Sequence, residues 1–298
     1  MAGLADLDAD RLKRMAAQVP GVKAVRDYRV LLRDPDIDAV AIAVPATLHY
    51  QVARAALLAG KHVYVEKPLA VSRADGEALV RLARARRRIL MVGHILEYHP
   101  AVLWLRDMIR RGELGRILYV YSTRVNLGNI RSEENALWSL AAHDVAMILF
   151  LIGERAAAVQ AVGGDYLQRG VEDVAFMTIR FPRRVLASVH VSWLDPHKVR
   201  KLTVVGSKKM AVFDDMEPQE KLRIFDKGVG DHLALRSGDI VSPRVDLTEP
   251  LLLECGHFVR CLNRGTKPRS DGEEGLRVLR VLDGAQKSMA HGSRLERL

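Results

Sequence analysis

Cysteine is scarce in this sequence of 298 residues, since only Cys255 and Cys261 occur. Two cysteines are too few for a disulfide framework, and on one helix they would lie nearly two turns apart. We therefore expect two buried free thiols and a reducing, cytoplasmic setting.

Long apolar runs are also missing. No segment approaches the length needed to cross a bilayer, and Met1 does not lead into a signal-like stretch, so we expect no membrane association. Hydrophobic residues make up 49% and charged residues 28%, which is typical of a soluble globular protein. The length is sufficient for two domains of ordinary size.

Aromatic residues are sparse at 5%, whereas lysine and arginine give a net charge of +10. Such a charge suits an anionic partner, which could be nucleic acid, a phosphate-bearing cofactor or a nucleotide-linked substrate. Because the basic residues are scattered and few aromatic rings are available to stack on bases, we expect no dedicated nucleic-acid surface. The densest basic run, Arg81 to Arg88, is expected to be the solvated face of a helix end.

Several catalytic motifs are absent. The His, Asp and Glu residues show no metal-ligand spacing, so no metal is predicted, and no G-x-S-x-G or Cys/His arrangement indicates a covalent nucleophile. The G-x-G-x-x-G turn that normally opens a dinucleotide-binding domain is missing too. Yet Asp6 ends a predicted strand, where such a domain carries its ribose-binding acid. The sequence thus reads as a Rossmann-type domain without its first strand, glycine turn and first helix.

A regular alternation of strands and helices is present up to Gly93, which predicts right-handed βαβ units and a parallel sheet. Asp8 and Ser72 are expected to be helix N-caps, and residues 38–44 form an apolar run of the kind buried in parallel sheets. The predicted strands are 4–8, 22–25, 38–44, 62–65 and 89–92, and the predicted helices are 9–19, 28–33, 48–59 and 73–87.

Beyond Gly93 the pattern changes to strands with little helix between them, which predicts a largely antiparallel sheet. The polar segment Gly228 to Pro250 is expected to be a loop with a functional or interface role. We therefore predict an α/β fold with a truncated Rossmann-like domain at 1–93 and an α+β domain at 94–298. The strands predicted there are 116–126, 158–163, 174–181, 186–193, 201–205, 210–213 and 221–225, and the helices are 100–111, 139–151, 251–263 and 272–290.

One stretch organises the chain, namely Lys61 to Ala70, reading KHVYVEKPLA. Its strand runs straight into Glu66-Lys67-Pro68, and ligands of open parallel sheets bind beyond the carboxyl ends of the strands. Because Pro68 biases the residue before it toward an extended conformation, Lys67 is aimed by the backbone. This context favours a functional role over a surface ion pair.

With these features in hand, the chain resembles the glucose–fructose oxidoreductase / inositol dehydrogenase (Gfo/Idh/MocA) family of NAD(P)-dependent sugar oxidoreductases. The resemblance extends from Asp6 to about Ala290 and rests on the order and spacing of several motifs. Longer stretches, such as EENALWSLAAHD, are similar to a branch of nucleotide-sugar dehydrogenases that includes UDP-N-acetylglucosaminuronate 3-dehydrogenase. The motifs are VPATLH at 44–49, EKP at 66–68, GH at 93–94 with YHP at 98–100, and AHD at 142–144.

The resemblance implies a role for each matching residue. Lys67 and His143 would be the catalytic pair, and Asp6 would bind the adenosine ribose, which favours NAD over NADP. The remaining cofactor contacts implied are Pro45, His49, Glu66 and Lys67, and the implied substrate contacts are His94, Tyr98, Ser139 and Asp144. An acid commonly stands four residues before the catalytic histidine in this family, and Ser139 replaces it here. The partner that orients the histidine is therefore expected to be the Ser139 hydroxyl or to come from elsewhere.

Oxidation of a secondary alcohol sends a hydride to the nicotinamide and a proton to a protein base. A histidine ordinarily titrates near neutrality, so His143 is expected to suit this task, whereas Lys67 would need a lowered pKa to act as base and could otherwise stabilise an alkoxide. The division of roles stays open at this point. His143 could equally be a helix-start or interdomain residue, and His94 and Tyr98 could serve only in packing.

Three functions compete at this level. The first is an NAD(P)-dependent dehydrogenase of a sugar or nucleotide-sugar, assembled as a homodimer or homotetramer through its antiparallel sheet, as the resemblance implies. The second is a cofactor-poor pseudoenzyme that retains this sheet as an assembly scaffold. The third, which we rank far behind, is a basic nucleic-acid binder that uses its net charge.

Overall fold

The computed structural model describes residues 1–132 and 134–298. Short 3-10 helices lie at Ala46–Leu48, Ile95–Tyr98, Pro182–Arg184 and Asp231–Leu233, and a π-helical turn lies at Leu137–Ala141. The α-helices are α1 (Ala9–Ala17), α2 (Tyr28–Leu32), α3 (His49–Leu58), α4 (Arg73–Arg86), α5 (Pro100–Arg110), α6 (Ala142–Ile152), α7 (Pro250–Arg264) and α8 (Gly272–Ala290). The strands are β1 (Gly3–Ala5), β2 (Lys23–Val25), β3 (Ala39–Ile42), β4 (His62–Glu66), β5 (Leu90–Gly93), β6 (Ile117–Val125), β7 (Ala158–Gly164), β8 (Val174–Arg180), β9 (Leu186–Ser192), β10 (Val199–Gly206), β11 (Met210–Asp214), β12 (Leu222–Val229), β13 (Leu235–Val241) and β14 (Glu296–Arg297).

The first 93 residues form the predicted alternation of strands and helices. Asp8 caps α1 by accepting from the backbone N–H groups of Asp10 and Arg11, and Ser72 caps α4 in the same way. The parallel strands fall into two separate sheets, β1–β2 and β3–β4–β5. In a doubly wound sheet with the strand order 3-2-1-4-5-6, β1 and β2 correspond to strands 2 and 3. Strands β3, β4 and β5 correspond to strands 4, 5 and 6. No described strand takes position 1, so β1 and β3 each have one free edge.

The free edge of β3 changes its burial. The apolar run at 38–44 was expected to be buried on both faces, but Ala41 and Ala43 are exposed, so that expectation is wrong for β3. A strand with one partner and no neighbour on its other side lacks the cover that a central strand receives. The next strand, β4, has partners on both sides, and its residues Val63 to Val65 are buried as predicted.

The predicted mostly antiparallel sheet is confirmed and has nine strands in the order β13-β12-β11-β10-β6-β9-β8-β7-β14. Among the described strands of this sheet, β6 and β9 alone pair in parallel. One face packs on α5, α6 and α8 and contains the largest hydrophobic core, while the other face leaves Tyr119, Tyr121 and Phe176 exposed. The strict alternation of buried and exposed residues along β8 follows from this one-sided cover.

The segment from Gly228 to Pro250 is only partly the loop that the sequence predicts. It contains β13, which pairs antiparallel with β12 at the edge of the large sheet. Every residue of β13 is exposed, so the sequence carries no alternation of apolar and polar residues there. The short strand β14 was missed because two residues are too few to produce a pattern.

The two C-terminal helices return to the N-terminal sheets. Helix α8 packs on α4 and β5 as well as on α6 and β7, and Gly76 permits the closest approach, since a Cβ there would lie 2.5 Å from Leu279 Cδ1. Helix α7 places Phe258 against Tyr64 of β4. A domain boundary at residue 93 therefore stays a prediction, because residues 250–290 pack on both halves.

The cysteines are free but differ in exposure. Cys261 belongs to the buried stripe of α7 with Glu254 and Phe258, whereas Cys255 points to another face of the helix and is exposed. The expectation of two buried thiols is thus wrong for Cys255. In the described part of the chain, no helix has the length and apolar content that a membrane crossing requires.

Candidate active site

The turn Glu66-Lys67-Pro68 lies at the carboxyl end of β4, the central strand of the three-stranded parallel sheet. Helix α3 supports this turn through the buried side chain of His49, whose ring nitrogens lie 2.6 Å from the Pro68 oxygen and 2.9 Å from the Val44 oxygen. The turn is therefore fixed both by its strand and by the helix before it. Open parallel sheets bind their ligands at this end.

Lys67 joins this turn to the second half of the chain. Its Nζ donates a hydrogen bond of 2.9 Å to the backbone oxygen of Ser139, which lies in the π-helical turn directly before α6. Burial lowers the pKa of Lys67, and the nearby Glu134 carboxylate offsets part of this effect. A lysine with a lowered pKa releases its proton more readily near neutral pH.

Two histidines share the surroundings of Lys67. His94 follows β5 and is 2% exposed, and neither of its ring nitrogens has a partner among the described residues. His143 begins α6, and its buried Nδ1 also lacks a partner there. Buried polar atoms without partners are uncommon and point to a missing ligand or water. Lys67, His94 and His143 thus form one cluster that could bind polar groups.

Burial, together with the charge of Lys67, lowers the pKa of both histidines. Burial, followed by the charge of Lys67, lowers the pKa of His94 to about 3. Burial also lowers the pKa of His143 well below its ordinary value, with Lys67 and Arg124 as the next causes. Both histidines are consequently neutral at neutral pH.

A buried ion pair fixes the helix that carries His143. Asp144 accepts a hydrogen bond of 2.6 Å from Arg124 Nε and one of 2.5 Å from Ser122 Oγ, both on β6. Because Asp144 is 1% exposed and both its oxygens are engaged, it anchors α6 to the large sheet. Its contact with substrate stays a prediction.

Two further residues predicted to contact substrate have other contacts here. Ser139 is 6% exposed and offers its backbone oxygen, rather than its hydroxyl, to Lys67. Tyr98 is 2% exposed, belongs to the core beside Tyr64, and its hydroxyl lies 3.0 Å from Ser270 Oγ. Of the four residues implied as substrate contacts, His94 alone has buried ring nitrogens without a partner among the described residues.

The residues implied for the cofactor are spread over two sheets. Pro45 is exposed in the turn after β3, and Glu66 ends β4, so both lie at the carboxyl edge of the three-stranded sheet. Asp6 lies beyond β1 in the separate two-stranded sheet, where its Oδ1 accepts from the Asp8 backbone and its Oδ2 is 3.4 Å from Arg11 Nη1. These roles stay predictions.

Sequence reasoning missed Arg124, although the strand pattern contained a signal. Val120, Ser122 and Arg124 occupy alternate, inward positions of β6, and a charged residue at such a position needs a buried partner. It also missed Tyr64 and Glu254, which come together only through the packing of α7 on β4. In the described ranges, no group of three or more His, Cys, Asp or Glu residues could hold a metal ion.

Comparison with family models agrees with this architecture. Residues 1–94 match the model described as "Oxidoreductase family, NAD-binding Rossmann fold", and residues 102–212 match the "GFO/IDH/MocA C-terminal domain". The chain belongs to the Gfo/Idh/MocA family. The resemblance inferred from the motifs is thereby confirmed.

Relatives of this family member extend over nearly its whole length. UDP-N-acetylglucosamine 3-dehydrogenase of Acidithiobacillus ferrooxidans is 27% identical over 94% of this chain and 86% of its own. Myo-inositol 2-dehydrogenase of Thermotoga maritima is 25% identical over 96% of this chain and 87% of its own. The family is thus one of oxidoreductases with an NAD-binding domain, and its members act on sugars.

Solved structures show the same fold. The UDP-N-acetylglucosamine 3-dehydrogenase of A. ferrooxidans has a TM-score of 0.84 at 25% identity, over 97% of this chain and 90% of its own. A levoglucosan dehydrogenase in complex with NADH has a TM-score of 0.86 at 23% identity, over 99% of this chain and 89% of its own. The second likeness concerns the fold alone.

Proposed function

We propose that this protein is an NAD(P)-dependent dehydrogenase that oxidises a secondary hydroxyl of a sugar or nucleotide-sugar. The observation that carries the proposal is the cluster of Lys67, His94 and His143 at the carboxyl end of the parallel sheet. The cluster combines a lysine whose pKa is lowered with buried histidine ring nitrogens that have no hydrogen-bond partner among the described residues. Such a cluster can bind a hydroxyl group and accept its proton.

The residues present fit the nicotinamide end of the cofactor. The buried nitrogens of His94 and His143 that have no partner among the described residues feel the charge of Lys67. Glu66 and Pro45 border the same edge of the sheet, where they would hold the nicotinamide ribose. When bound, the cofactor supplies the acceptor for the hydride. The carboxylate of Asp6 is suited to ribose hydroxyls, which favours NAD over NADP.

Lys67 is the better proton acceptor of the catalytic pair. Its lowered pKa brings it toward neutral pH, whereas the pKa of His143 is so low that its protonated form is strongly disfavoured. In this assignment Lys67 takes the proton of the substrate hydroxyl. The neutral imidazole of His143 orients that hydroxyl through a hydrogen bond.

A nucleotide-sugar is favoured as substrate by the cations around the cluster. Arg131 contributes to the electrostatics of Lys67, Arg200 contributes to those of His143, and Arg124 contributes to both. Arg131 and Arg200 are partly exposed and could meet a diphosphate. The relative that acts on UDP-N-acetylglucosamine supports the same substrate class.

Cofactor binding and turnover test this proposal directly. Isothermal titration with NAD, NADH and NADP should show micromolar binding and a preference for NAD. With NAD present, UDP-N-acetylglucosamine and myo-inositol should be compared as substrates by the rise in NADH absorbance. If the cofactor binds but neither compound is turned over, the proposed substrate class is wrong.

A pseudoenzyme that serves as an assembly scaffold is the second candidate. The observation that favours it is the division of the described parallel strands into two separate sheets, because a dinucleotide binds along the edge of one continuous sheet. A stable oligomer without measurable cofactor binding would support the scaffold and contradict the enzyme. For the third candidate, a nucleic-acid binder, a gel-shift that disappears at modest salt and shows no sequence preference would reduce the binding to ordinary electrostatics.

The assembly itself would use the open face of the large sheet. Tyr119, Tyr121 and Phe176 are 44–50% exposed there, and exposed apolar patches of this kind mark interfaces. A second copy packed on this face would form the homodimer or homotetramer. Size-exclusion chromatography with light scattering should give a dimer or tetramer that Tyr121→Lys dissociates. A cytoplasmic location stays part of this proposal.

A further inference from the structure

A buried carboxyl group on α7 lies next to the catalytic turn without belonging to it. Glu254 is 0% exposed, and its Oε2 lies 3.1 Å from the Tyr64 hydroxyl on β4. The same hydroxyl lies 3.3 Å from Oε1 of Glu66, the residue before Lys67. One phenol therefore bridges a buried carboxyl group and the carboxyl group of the catalytic turn.

Counting hydrogens decides the state of this bridge. The phenol has a single hydrogen, so it can donate to one of the two carboxyl groups but not to both. The second contact is a hydrogen bond only if a carboxyl group carries a proton. A contact between two oxygen lone pairs would be repulsive.

The proton belongs on Glu254 rather than on Glu66. Glu66 is partly exposed, and its Oε2 accepts from the Lys67 backbone N–H at 3.3 Å, as an ionised carboxylate does. Glu254 makes no ion pair, and its buried Oε1 has no hydrogen-bond partner in the described part of the chain. An ionised carboxylate with an unpaired buried oxygen is far more costly than a neutral acid.

We propose that Glu254 is held as a neutral carboxylic acid that donates to Tyr64, whose own hydrogen is donated to Glu66. The resulting chain of two hydrogen bonds makes Glu254 a positioning residue for Glu66 and hence for the start of the catalytic turn. Gly93 leaves the room for it, since a Cβ there would lie 2.9 Å from Glu66 Oε2 and 3.0 Å from the Tyr64 hydroxyl. The consequence for catalysis rests on the proposed function, but the protonation of Glu254 does not.

The electrostatic surroundings agree with this arrangement. Burial, with the charge of Glu66 as a further cause, raises the pKa of Glu254 to about 8. Glu97 in the 3-10 helix also faces this region, and burial raises its pKa as well. No cation is among the causes that act on Glu254. The titratable groups in its surroundings are Tyr64 and Glu66 on β4, Glu97 and Tyr98 in the 3-10 helix, and Cys255 on α7.

The sign of the pH effect on stability follows from linkage. The folded protein keeps the Glu254 proton up to about pH 8, whereas the unfolded chain releases it near the ordinary value of 4.5. The contribution of Glu254 to stability is therefore complete below the unfolded pKa. It is lost progressively as the pH rises toward the folded pKa.

Denaturant midpoints measured from pH 5 to pH 9 test the protonation without requiring any activity. Between about pH 6.5, above which the histidines no longer titrate, and pH 8, the wild-type midpoint should fall as the pH rises, and Glu254→Gln should flatten that fall. If Glu254→Gln does not fold, Glu254→Met, which also lacks the carboxyl group, should show the same flattening. Equal pH slopes in the wild type and these variants would overturn the proposal.

Turnover with NAD and UDP-N-acetylglucosamine tests the positioning role. Tyr64→Phe should lower kcat/KM about tenfold, the effect of one lost hydrogen bond. Because glutamine mimics the neutral acid, Glu254→Gln should keep a larger fraction of its pH 7 activity at pH 9 than the wild type does. The matched control Glu97→Gln, a second buried carboxyl without a bond to Tyr64, should lose activity with pH as the wild type does.

The outcomes separate this inference from the proposed function. A flattened stability profile without turnover in any variant would support the neutral acid and contradict the dehydrogenase. Turnover with identical pH profiles in the wild type and Glu254→Gln would support the dehydrogenase and overturn the positioning role.

Discussion

The three-stranded parallel sheet and the nine-stranded sheet contribute to the candidate site in different ways. The small sheet carries reactive groups at the ends of its strands, namely Lys67 after β4 and His94 after β5. The large sheet supplies Arg124 and Ser122, which hold Asp144 and so fix the helix that bears His143. Lys67 and His94 thus come from the three-stranded sheet, whereas the nine-stranded sheet fixes the position of His143.

Two buried carboxylates packed on the large sheet differ from the two site histidines in whether they have a partner. In the large sheet, Asp144 is paired with Arg124, and Asp173 accepts a hydrogen bond of 2.6 Å from Trp193 Nε1. Near the small sheet, by contrast, the buried nitrogens of His94 and Nδ1 of His143 have no partner among the described residues. Paired polar groups stabilise a fold, whereas unpaired ones at a strand end are available to a ligand.

Replacing Lys67 should give the largest effect on turnover and thereby show most clearly how the two sheets differ in their contribution to the site. Lys67→Met removes the proposed proton acceptor, so kcat/KM for sugar oxidation should fall about 10²- to 10⁴-fold. The melting temperature should stay level or rise, because a partly buried ammonium group is replaced by an apolar one. Steady-state kinetics and calorimetry check both results.

The control for Lys67 is Lys287→Met, which removes an exposed lysine paired with Asp283 on α8. It should change neither turnover nor, by more than about 1 kcal/mol, the free energy of unfolding. If Lys67→Met retained wild-type turnover, the small sheet would not provide the base.

The buried ion pair between Arg124 of the large sheet and Asp144 of α6 should instead affect stability. Asp144→Ala leaves Arg124 charged and buried without its partner, so the free energy of unfolding should decrease by about 3–5 kcal/mol. Urea denaturation measures this change. The double variant Asp144→Leu with Arg124→Met should recover much of the loss, because no uncompensated charge remains. A decrease below about 1 kcal/mol for Asp144→Ala would contradict a structural role.

Acid should act through the buried histidines, of which His94 lies near the small sheet. The pKa of His94 is lowered from 6.5 to about 3, so between these values the unfolded chain binds a proton that the folded protein does not. Stability should therefore fall as the pH drops below about 6.5, and His94→Gln should reduce this fall. Urea midpoints from pH 4 to pH 7 test it, with the exposed His291→Gln as the variant expected to behave like wild type.

The smallest expected effect concerns the free edge of β3. Because β3 has one strand partner and β4 has two, the amides of Ala39–Ile42 should exchange with deuterium faster than those of His62–Glu66. Mass spectrometry of exchanged peptides measures the difference. Equal protection of the two strands would show that the edge of β3 is covered in solution.

Much of the fold could be predicted from local patterns. The buried strand before Lys67, the N-caps Asp8 and Ser72 and the change of pattern near Gly93 all follow from sequence signals within a few residues. The errors lie at edges: Ala41 on β3 is exposed and β13 carries no alternation. Burial at a sheet edge depends on neighbours distant in sequence, which a local pattern does not contain.

The candidate site was less predictable from the sequence than the fold was. Lys67 and His143 were predicted as a pair from the family resemblance and not from a local pattern, because they lie 76 positions apart in the chain. The sequence offered Ser139 as a possible hydroxyl partner, whereas the structure uses its backbone oxygen to bind Lys67. Tyr64 and Glu254 gave no signal as a pair, since 190 positions separate them.

By itself, the sequence determined the types of element, the strand that carries Lys67 and the family of the protein, because period, caps and short motifs are local properties of a chain. Only the tertiary structure decided which polar groups are paired. The packing of α6 on β6 and of α7 on β4 brings distant side chains together. Burial in the packed molecule also shifts the pKa values of Lys67, His143 and Glu254. Burial and pairing are properties of the packed molecule, and no local pattern encodes them.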